Sequence, residues 1–417
     1  MNNDTSIKDI LLENFLSYVK IWTTSDSQKA DEGIHPSTER QLELANHLKN
    51  QLEKMGIQSH ITSHGYLCAR ISATEGYENS SSIGFLAHLD TAGEVSGQNV
   101  NPKITKNYDG TDIKLNEEIT LYIEENPELL NCKGQTIITT DGTTLLGADD
   151  KAGIAEIITA IQILQDKNIP HGQIEVIFSP DEETGHGMDN VPLDWIQSKQ
   201  CYTIDGGTLG EIEAECFNAY KSEITFTGKA LHTGSARPNM VNAVTMASKF
   251  VSMLPQNESP EATDGYLGFY APMEISGSME SAKVTVFLRD FEESGMKRRI
   301  STIDSLAQTC NAIFPNGSVE TKHTFQYKNM KEVLDKNPHV MQNLIQAVKN
   351  VGIEPIISPI RGGTDGSRLS ELGIPTPNIF TGGHNFHSRT EWACLEQMEY
   401  SVKTILELIK IYSKGKN

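Results

Sequence analysis

The sequence predicts an α/β protein with a mostly parallel central sheet, into which a second, α+β domain of ferredoxin-like order is inserted. Three observations carry this reading. Four strand-like runs, the apolar 83–87, the alternating 174–178, 201–204 and 377–380, are each followed closely by His, Asp or Glu, and in open parallel sheets ligands bind outside the carboxyl ends of the strands, where such endings converge. Residues 136–178 read as strand, helix, strand, the crossover that parallel pairing requires. Between Tyr220 and Gln326 the order becomes β-α-β-β-α-β, the split ferredoxin-like arrangement.

A chain of 417 residues, 37% of them hydrophobic, can bury a large core and is expected to form two domains. The expected boundaries are 1–216 with 327–417 for the sheet domain and 217–326 for the insertion. A formal charge of −20 and a pI near 5.0, with no compensating basic stripe, argue against a nucleic-acid partner. No apolar run approaches the roughly 20 residues that span a bilayer. Met1–Asp9 is polar rather than a signal peptide, so a cytoplasmic location without a membrane partner is expected. The six cysteines form no C-x-x-C pair and read as reduced, packed thiols rather than metal ligands.

From the N-terminus, Ile7–Val19 has the spacing of an amphipathic helix, and Trp22 to Pro36 is polar and turn-rich. Thr38 and Gln41 form a capping-box pattern that opens a helix on which Leu42, Ala45, Leu48, Leu52 and Met55 share a face, with Gly56 placed to end it. Gly65–Ile71 and Ile83–Ala87 read as strands. The polar stretch Thr91–Gly142 is too long for a free loop and is expected to be an insertion with its own hairpins. The strand from Thr136, the helix Lys151–Gln165 and the strand Ile174–Phe178 make the crossover. In the inserted domain, strands are expected at Tyr220–Thr227, Tyr266–Ile275, Ala282–Phe291 and Ser318–Gln326, with helices at Val241–Leu254 and Gly295–Phe314. The chain then returns with a helix over Met341–Val351, a Gly-rich turn at Arg361–Gly366, the strand near Phe380 and a closing helix Glu396–Tyr412.

The chemistry centres on Thr143–Gly153, where Asp149 and Asp150 stand on a Gly-bounded turn at the start of a helix. A lone Asp there would simply cap the helix, but the strand ends add His88-Leu89-Asp90, Asp181-Glu182-Glu183, Asp205 and the His384–His387 segment. Together they supply the nitrogen and oxygen donors that suit zinc or a similar divalent ion. If strand geometry persists through Asp90, it shares a face with His88 and can take the second N–H of the imidazole. Glu182 and Glu183 follow a strand end and point different ways, so one can bind metal while the other acts as a base. Five donors exceed one tetrahedral zinc and suit two ions sharing a carboxylate, a hydrolytic centre. Ligand types alone leave open whether the bond cleaved is an amide or a phosphate ester.

The segments Gly84–Thr91, Gly147–Gly153, Ser179–Gly185 and Asp205–Gly207 resemble the M20 metallopeptidases, and the similarity runs through nearly the whole chain. The resemblance implies a zinc-exopeptidase-like catalytic domain and an inserted lid and dimerisation domain. It also implies two zinc ions per subunit, with His88 and Asp205 on one, Glu183 and His387 on the other, and Asp149 bridging both. Asp90 would orient His88. Glu182 would be the general base for attack by a hydroxide held between the two ions. His232 matches the lid histidine that donates to the developing oxyanion, an effect worth about 3 kcal/mol. Arg361 would grip the substrate carboxylate, although an arginine before a Gly-rich turn can instead satisfy local carbonyls; Asn242 and Arg289 are further candidates for that pocket.

The activity implied is an aminopeptidase acting on short peptides with a free N-terminus, chiefly tripeptides, as a homodimer. The rival is an M20-type dipeptidase or N-acyl amino acid hydrolase; a binding protein without activity would have no need for both base and ligands. Two positions depart from the family pattern. His384 stands where an aromatic residue is expected, making it an alternative ligand to His387, and Thr390 stands where a histidine is expected beside Glu391.

Overall fold

A computed structural model describes residues 6–414. The chain divides into two compact units: the first comprises the chain up to Ala214, Glu332–Ser358 and everything from Thr364 on, and the second comprises Glu215–Lys331 and Pro359–Gly363.

The first unit is built on an eight-stranded sheet. Its strand order is Gln58–Ile61, Leu67–Ile71, Ile174–Ser179, Ile83–His88, Cys201–Gly206, Asn378–Phe380, Glu211–Cys216, Ile356–Ile360. The centre is parallel, with Ile83–His88 between Ile174–Ser179 and Cys201–Gly206 and Asn378–Phe380 parallel to the latter. Antiparallel pairs flank it. Every residue of Ile83–His88 and of Ile174–Ser179 is buried, which explains their mostly apolar composition; the buried Glu175 is paired with Arg70 at 2.6 Å. Register sets His88 opposite Ser179, so both strands end at the same level.

The helix Ala148–Asp166 lies against these strands and is buried along most of its length. Gly153 permits this approach: a Cβ there would stand 1.8 Å from the carbonyl oxygen of Ile204, next to Asp205. The helices Ile7–Tyr18, Pro338–Asn350 and Leu395–Ser413 belong to the same unit.

Two expectations are corrected here. Ile137–Thr139 does not join the main sheet; it pairs antiparallel with Trp392–Cys394 and Lys103–Thr105 in a separate four-stranded sheet. The parallel partner of Ile174–Ser179 is instead Ile83–His88. The run at 137 packs into a small core of Tyr108, Leu121, Leu129, Cys132 and Trp392, which an apolar triplet satisfies as well as a central sheet position would. The capping box at Thr38 and Gln41 is also absent. The helix Gln41–Lys54 has Arg40 at its N-cap and no side-chain cap. Thr38 Oγ1 donates to the Thr24 carbonyl at 2.9 Å, and the Gln41 amide donates to Asp181 at 2.7 Å. Gly56 follows the helix at φ 74°, as expected.

The stretch 91–142 holds its own short elements, including the hairpin Ile113–Lys114 with Thr120–Leu121 and the 3-10 turn Pro127–Cys132. All six cysteines are buried and none is in a disulfide. Among the described residues, no helix is long and apolar enough to cross a membrane.

In the second unit the strands Asn218–Thr227, Phe269–Gly277, Ser281–Asp290 and Ser318–Tyr327 form an antiparallel sheet. Numbered in chain order, they lie in space as second, third, first, fourth, the ferredoxin-like order. The helices Ala243–Met253 and Glu293–Ile313 supply Met246, Phe250, Met296 and Ile303 to its core.

Candidate metal centre

The strand Ile83–His88 delivers His88 to the end of the sheet, buried to 2% exposure. Its backbone N–H donates to Asp150 Oδ2 at 3.0 Å, and Nδ1 lies 3.1 Å from the carbonyl oxygen of Asp90. Nε2 therefore faces inward, 2.8 Å from Asp149 Oδ1 and 3.5 Å from Asp205 Oδ1. Asp205 arrives on the neighbouring parallel strand Cys201–Gly206.

Asp149 is presented by a turn. Gly147 sits at φ 79°, and Asp149 and Asp150 leave helical geometry before the helix proper begins. The buried Glu391 fixes this turn, its carboxylate accepting the N–H groups of Leu146 at 2.7 Å, Gly147 at 2.8 Å and Asp149 at 3.2 Å. The second oxygen of Asp149 then meets His387 Nε2 at 3.1 Å, and the same nitrogen lies 2.9 Å from Glu183 Oε2.

Two triads result, His88–Asp149–Asp205 and Asp149–Glu183–His387, and within each the ligand atoms lie within 4.8 Å of one another. Asp149 belongs to both, one oxygen turned to each imidazole. His384 belongs to neither. Its ring stacks on Trp392 at 3.9 Å and its Nε2 lies 3.1 Å from Gln397 Oε1.

The charge balance favours a cation. Burial opposes protonation of His88, yet Asp205, Asp149 and Asp90 together raise it well above the usual imidazole range. Hydrogen bonds to Asp149 and Glu183 push His387 up to about 11. Burial raises Glu183 to about 8 and Asp205 to about 6, whereas for Asp149 the two imidazoles outweigh burial and hold its carboxyl below the usual range. Glu183 Oε1 is buried with no hydrogen-bond partner. An orphaned carboxylate oxygen among imidazoles and acids is the donor chemistry a pair of divalent ions satisfies.

Glu182 stands beside the triads on the turn after the strand Ile174–Ser179. Burial pushes its carboxyl well above the usual range, partly offset by His88. The turn is held by Asp90, whose carboxylate accepts the N–H of Glu182 at 3.0 Å and that of Glu183 at 3.2 Å. The expected contact of that carboxylate to His88 is longer, 3.5 Å to Nδ1. Asp90 thus meets Nδ1 of the imidazole with its backbone carbonyl and, at longer range, with the carboxylate that also holds the two glutamates.

The remaining candidates lie in the second unit. His232 is exposed and caps a short turn, its Nδ1 accepting the Gly234 N–H at 3.1 Å. Asn242 caps the helix Ala243–Met253 through the Val244 N–H. Arg289 is buried and donates to the carbonyls of Tyr220 and Leu288 and to Gln326 Oε1. Arg361 uses both terminal nitrogens on the carbonyls of Thr263, Gly265 and Leu267 and on Thr263 Oγ1. The guanidinium is thus committed to carbonyls, though ones distant in sequence rather than local to its turn.

Sequence reasoning missed three acids. Glu391 sets the Asp149 turn, as described. Asp365 is buried, hydrogen-bonded to Ser179 Oγ and pushed up to about 7 by burial. Asp181 receives Ser37, Gln41 and His35 and anchors the segment before Glu182. Each carried some signal, Asp181 standing in the strand-end motif, Asp365 in a Gly-rich turn and Glu391 beside Thr390, but pattern alone assigns none of them its role.

Residues 139–411 match the model of Peptidase family M20/M25/M40. The chain is 46% identical over 404 residues to Peptidase T of Clostridium perfringens strain SM101, covering 96% of this chain and 98% of that protein. It is 44% identical over 412 residues to Peptidase T of Listeria innocua, covering 98% and 100%. Among solved structures, aminopeptidase PepT of Bacillus cereus superposes with a TM-score of 0.76 at 23% identity, covering 98% of this chain and 99% of that one. A Bacillus subtilis protein described as a dinuclear metal binding peptidase of the M20 family superposes with a TM-score of 0.64 at 14% identity, covering 97% and 98%. At these identities the structural matches speak to the fold.

Proposed function

We propose, since the chain belongs to peptidase family M20/M25/M40, that it is a zinc-dependent aminopeptidase removing the N-terminal residue from short peptides, chiefly tripeptides. The observation that carries the reading is the bridging position of Asp149, between His88 at 2.8 Å and His387 at 3.1 Å. Two ions would be held by His88 and Asp205 on one side and by Glu183 and His387 on the other, with Asp149 common to both. When bound, such a pair supplies Lewis acidity that lowers the pKa of water and polarises a carbonyl.

The chain's own residues then move the proton. Glu182 takes it from the attacking water and delivers it to the amine that leaves as the peptide C–N bond breaks. Burial, which favours the protonated carboxyl, suits a group that must hold a proton between the two steps. Asp90 keeps both glutamates in register through their backbone N–H groups. His232 is assigned the donor role toward the carbonyl oxygen under attack. Arg361 and Arg289, committed to carbonyls within their own unit, would have to release those bonds to hold a substrate carboxylate.

A homodimer is proposed on the exposed edge strand Phe269–Gly277, where Met273 and Ile275 are 58% and 53% exposed. A cytoplasmic location is proposed on six buried cysteines, none of them in a disulfide. The test is a kinetic panel of free di-, tri- and tetrapeptides beside N-acetylated tripeptides, with zinc removed and restored. Zinc-dependent turnover confined mainly to the free tripeptides supports the reading; preference for the acetylated forms or for dipeptides overturns the aminopeptidase assignment.

A further inference from the structure

A second cluster of metal-ligating side chains stands in the first unit, apart from the two triads. His35, His186 and Asp189 each offer a ligand atom within 4.8 Å of the other two. The two imidazole rings are 5.5 Å apart. His35 already has the support that metal histidines use, its Nδ1 lying 3.2 Å from Asp181 Oδ2, which leaves Nε2 as the free nitrogen. Asp181 is in turn fixed by Ser37 N–H at 2.8 Å and the Gln41 amide at 2.7 Å, so the His35 ring is backed by a buried, rigid carboxylate. His186 lies between two acids, with Nδ1 2.7 Å from Asp189 Oδ2 and Nε2 3.3 Å from Asp31 Oδ1. The guanidinium of Arg368 stands 3.6 Å from the other oxygen of Asp189, Oδ1.

We propose that His35, His186 and Asp189 form a third divalent-cation site that ties His35 to the loop 186–189, with solvent completing the coordination. Two imidazoles and a carboxylate suit zinc, with cobalt(II) or nickel(II) as chemical substitutes. Side-chain exposures of 10% for His35, 24% for His186 and 36% for Asp189 leave a route for the ion. The pair of triads does not use these residues. The third ion is structural: it replaces protons shared between nitrogen and carboxylate with coordinate bonds across two loops that are distant in sequence.

Zinc titration by equilibrium dialysis, with elemental analysis of the full chain, tests this. The expected result is two tightly held equivalents and a third, weaker one that also raises the thermal midpoint. His186→Ala and His35→Ala should each lose the third equivalent and its thermal shift while keeping the first two. Asp189→Asn, an exposed change that leaves folding to the rest of the unit, should weaken the third equivalent selectively. Cobalt(II) added to the zinc-loaded protein should give visible absorption of a tetrahedral nitrogen and oxygen site in the wild type alone. Saturation of the wild type at two equivalents, or a third equivalent retained in both histidine variants and in Asp189→Asn, overturns the proposal.

Discussion

Asp90 accepts the backbone N–H of Glu182 at 3.0 Å. Its other oxygen takes the N–H of Glu183 at 3.2 Å, so one buried carboxylate fixes the residue proposed as base and the residue proposed as metal ligand. Asp90→Asn would turn an amide N–H₂ toward one of those donors. Loss of such an outer partner is expected to cost about 10–100-fold in metal affinity or activity. Zinc affinity and kcat/KM measured together on Asp90→Asn check this, and unchanged values in both would contradict it.

Glu182→Gln keeps the shape of the side chain and removes its capacity to accept a proton. Turnover should fall by about two to four orders of magnitude, with zinc content at the two proposed sites retained. Elemental analysis beside kcat separates a lost base from a lost ligand.

Glu391 satisfies three N–H groups of the 146–149 turn from a buried position. In Glu391→Gln the amide group can no longer accept at both ends, and at least one N–H is left unpaired, costing about 1–3 kcal/mol. The expected outcome is weaker zinc binding together with a lower thermal midpoint, since the turn serves both ligand placement and packing.

Glu156 supplies a pH dependence away from the metal centre. It is fully buried on the helix Ala148–Asp166, and neither carboxyl oxygen has a hydrogen-bond partner. Burial raises it well above its ordinary value of 4.5, with Ser401 opposing weakly. The folded state therefore keeps a proton that the unfolded chain releases. This contribution to stability is fully present below pH 4.5 and is lost as pH rises toward the folded-state pKa, by about 1.4 kcal/mol per pH unit. Glu156→Gln, which cannot ionise, should gain in thermal midpoint relative to wild type at pH 8 compared with pH 5, both zinc-saturated. A difference between the two proteins that does not change with pH would contradict this.

Much of this architecture is legible because burial writes itself into the chain. Ile83–His88 and Ile174–Ser179 are mostly apolar since both faces are covered, and the strand and helix order of 218–327 follows from local periodicity. Pairing is less legible: Ile137–Thr139 has a strand's composition, but its partner Trp392–Cys394 lies far along the chain. The second task of Asp90, holding the N–H groups of Glu182 and Glu183, is not legible, because the strand ends at His88 and alternation says nothing beyond it. His384 and His387 look equivalent in sequence. Left-handed φ values of 55° at Asn385 and 60° at His387 turn the chain between them, sending one ring onto Trp392 and the other to Asp149. Arg361 finds its partners only through tertiary placement near Thr263, Gly265 and Leu267.

The most direct test is to strip the protein of metal and restore zinc stepwise while following hydrolysis of a free tripeptide, in the wild type and in Asp149→Ala. The account predicts that wild-type activity appears as the second tightly bound equivalent is filled, and that Asp149→Ala holds neither ion tightly and stays inactive. Full turnover without zinc, or an Asp149→Ala variant with two tightly bound ions and the wild-type rate, would contradict it.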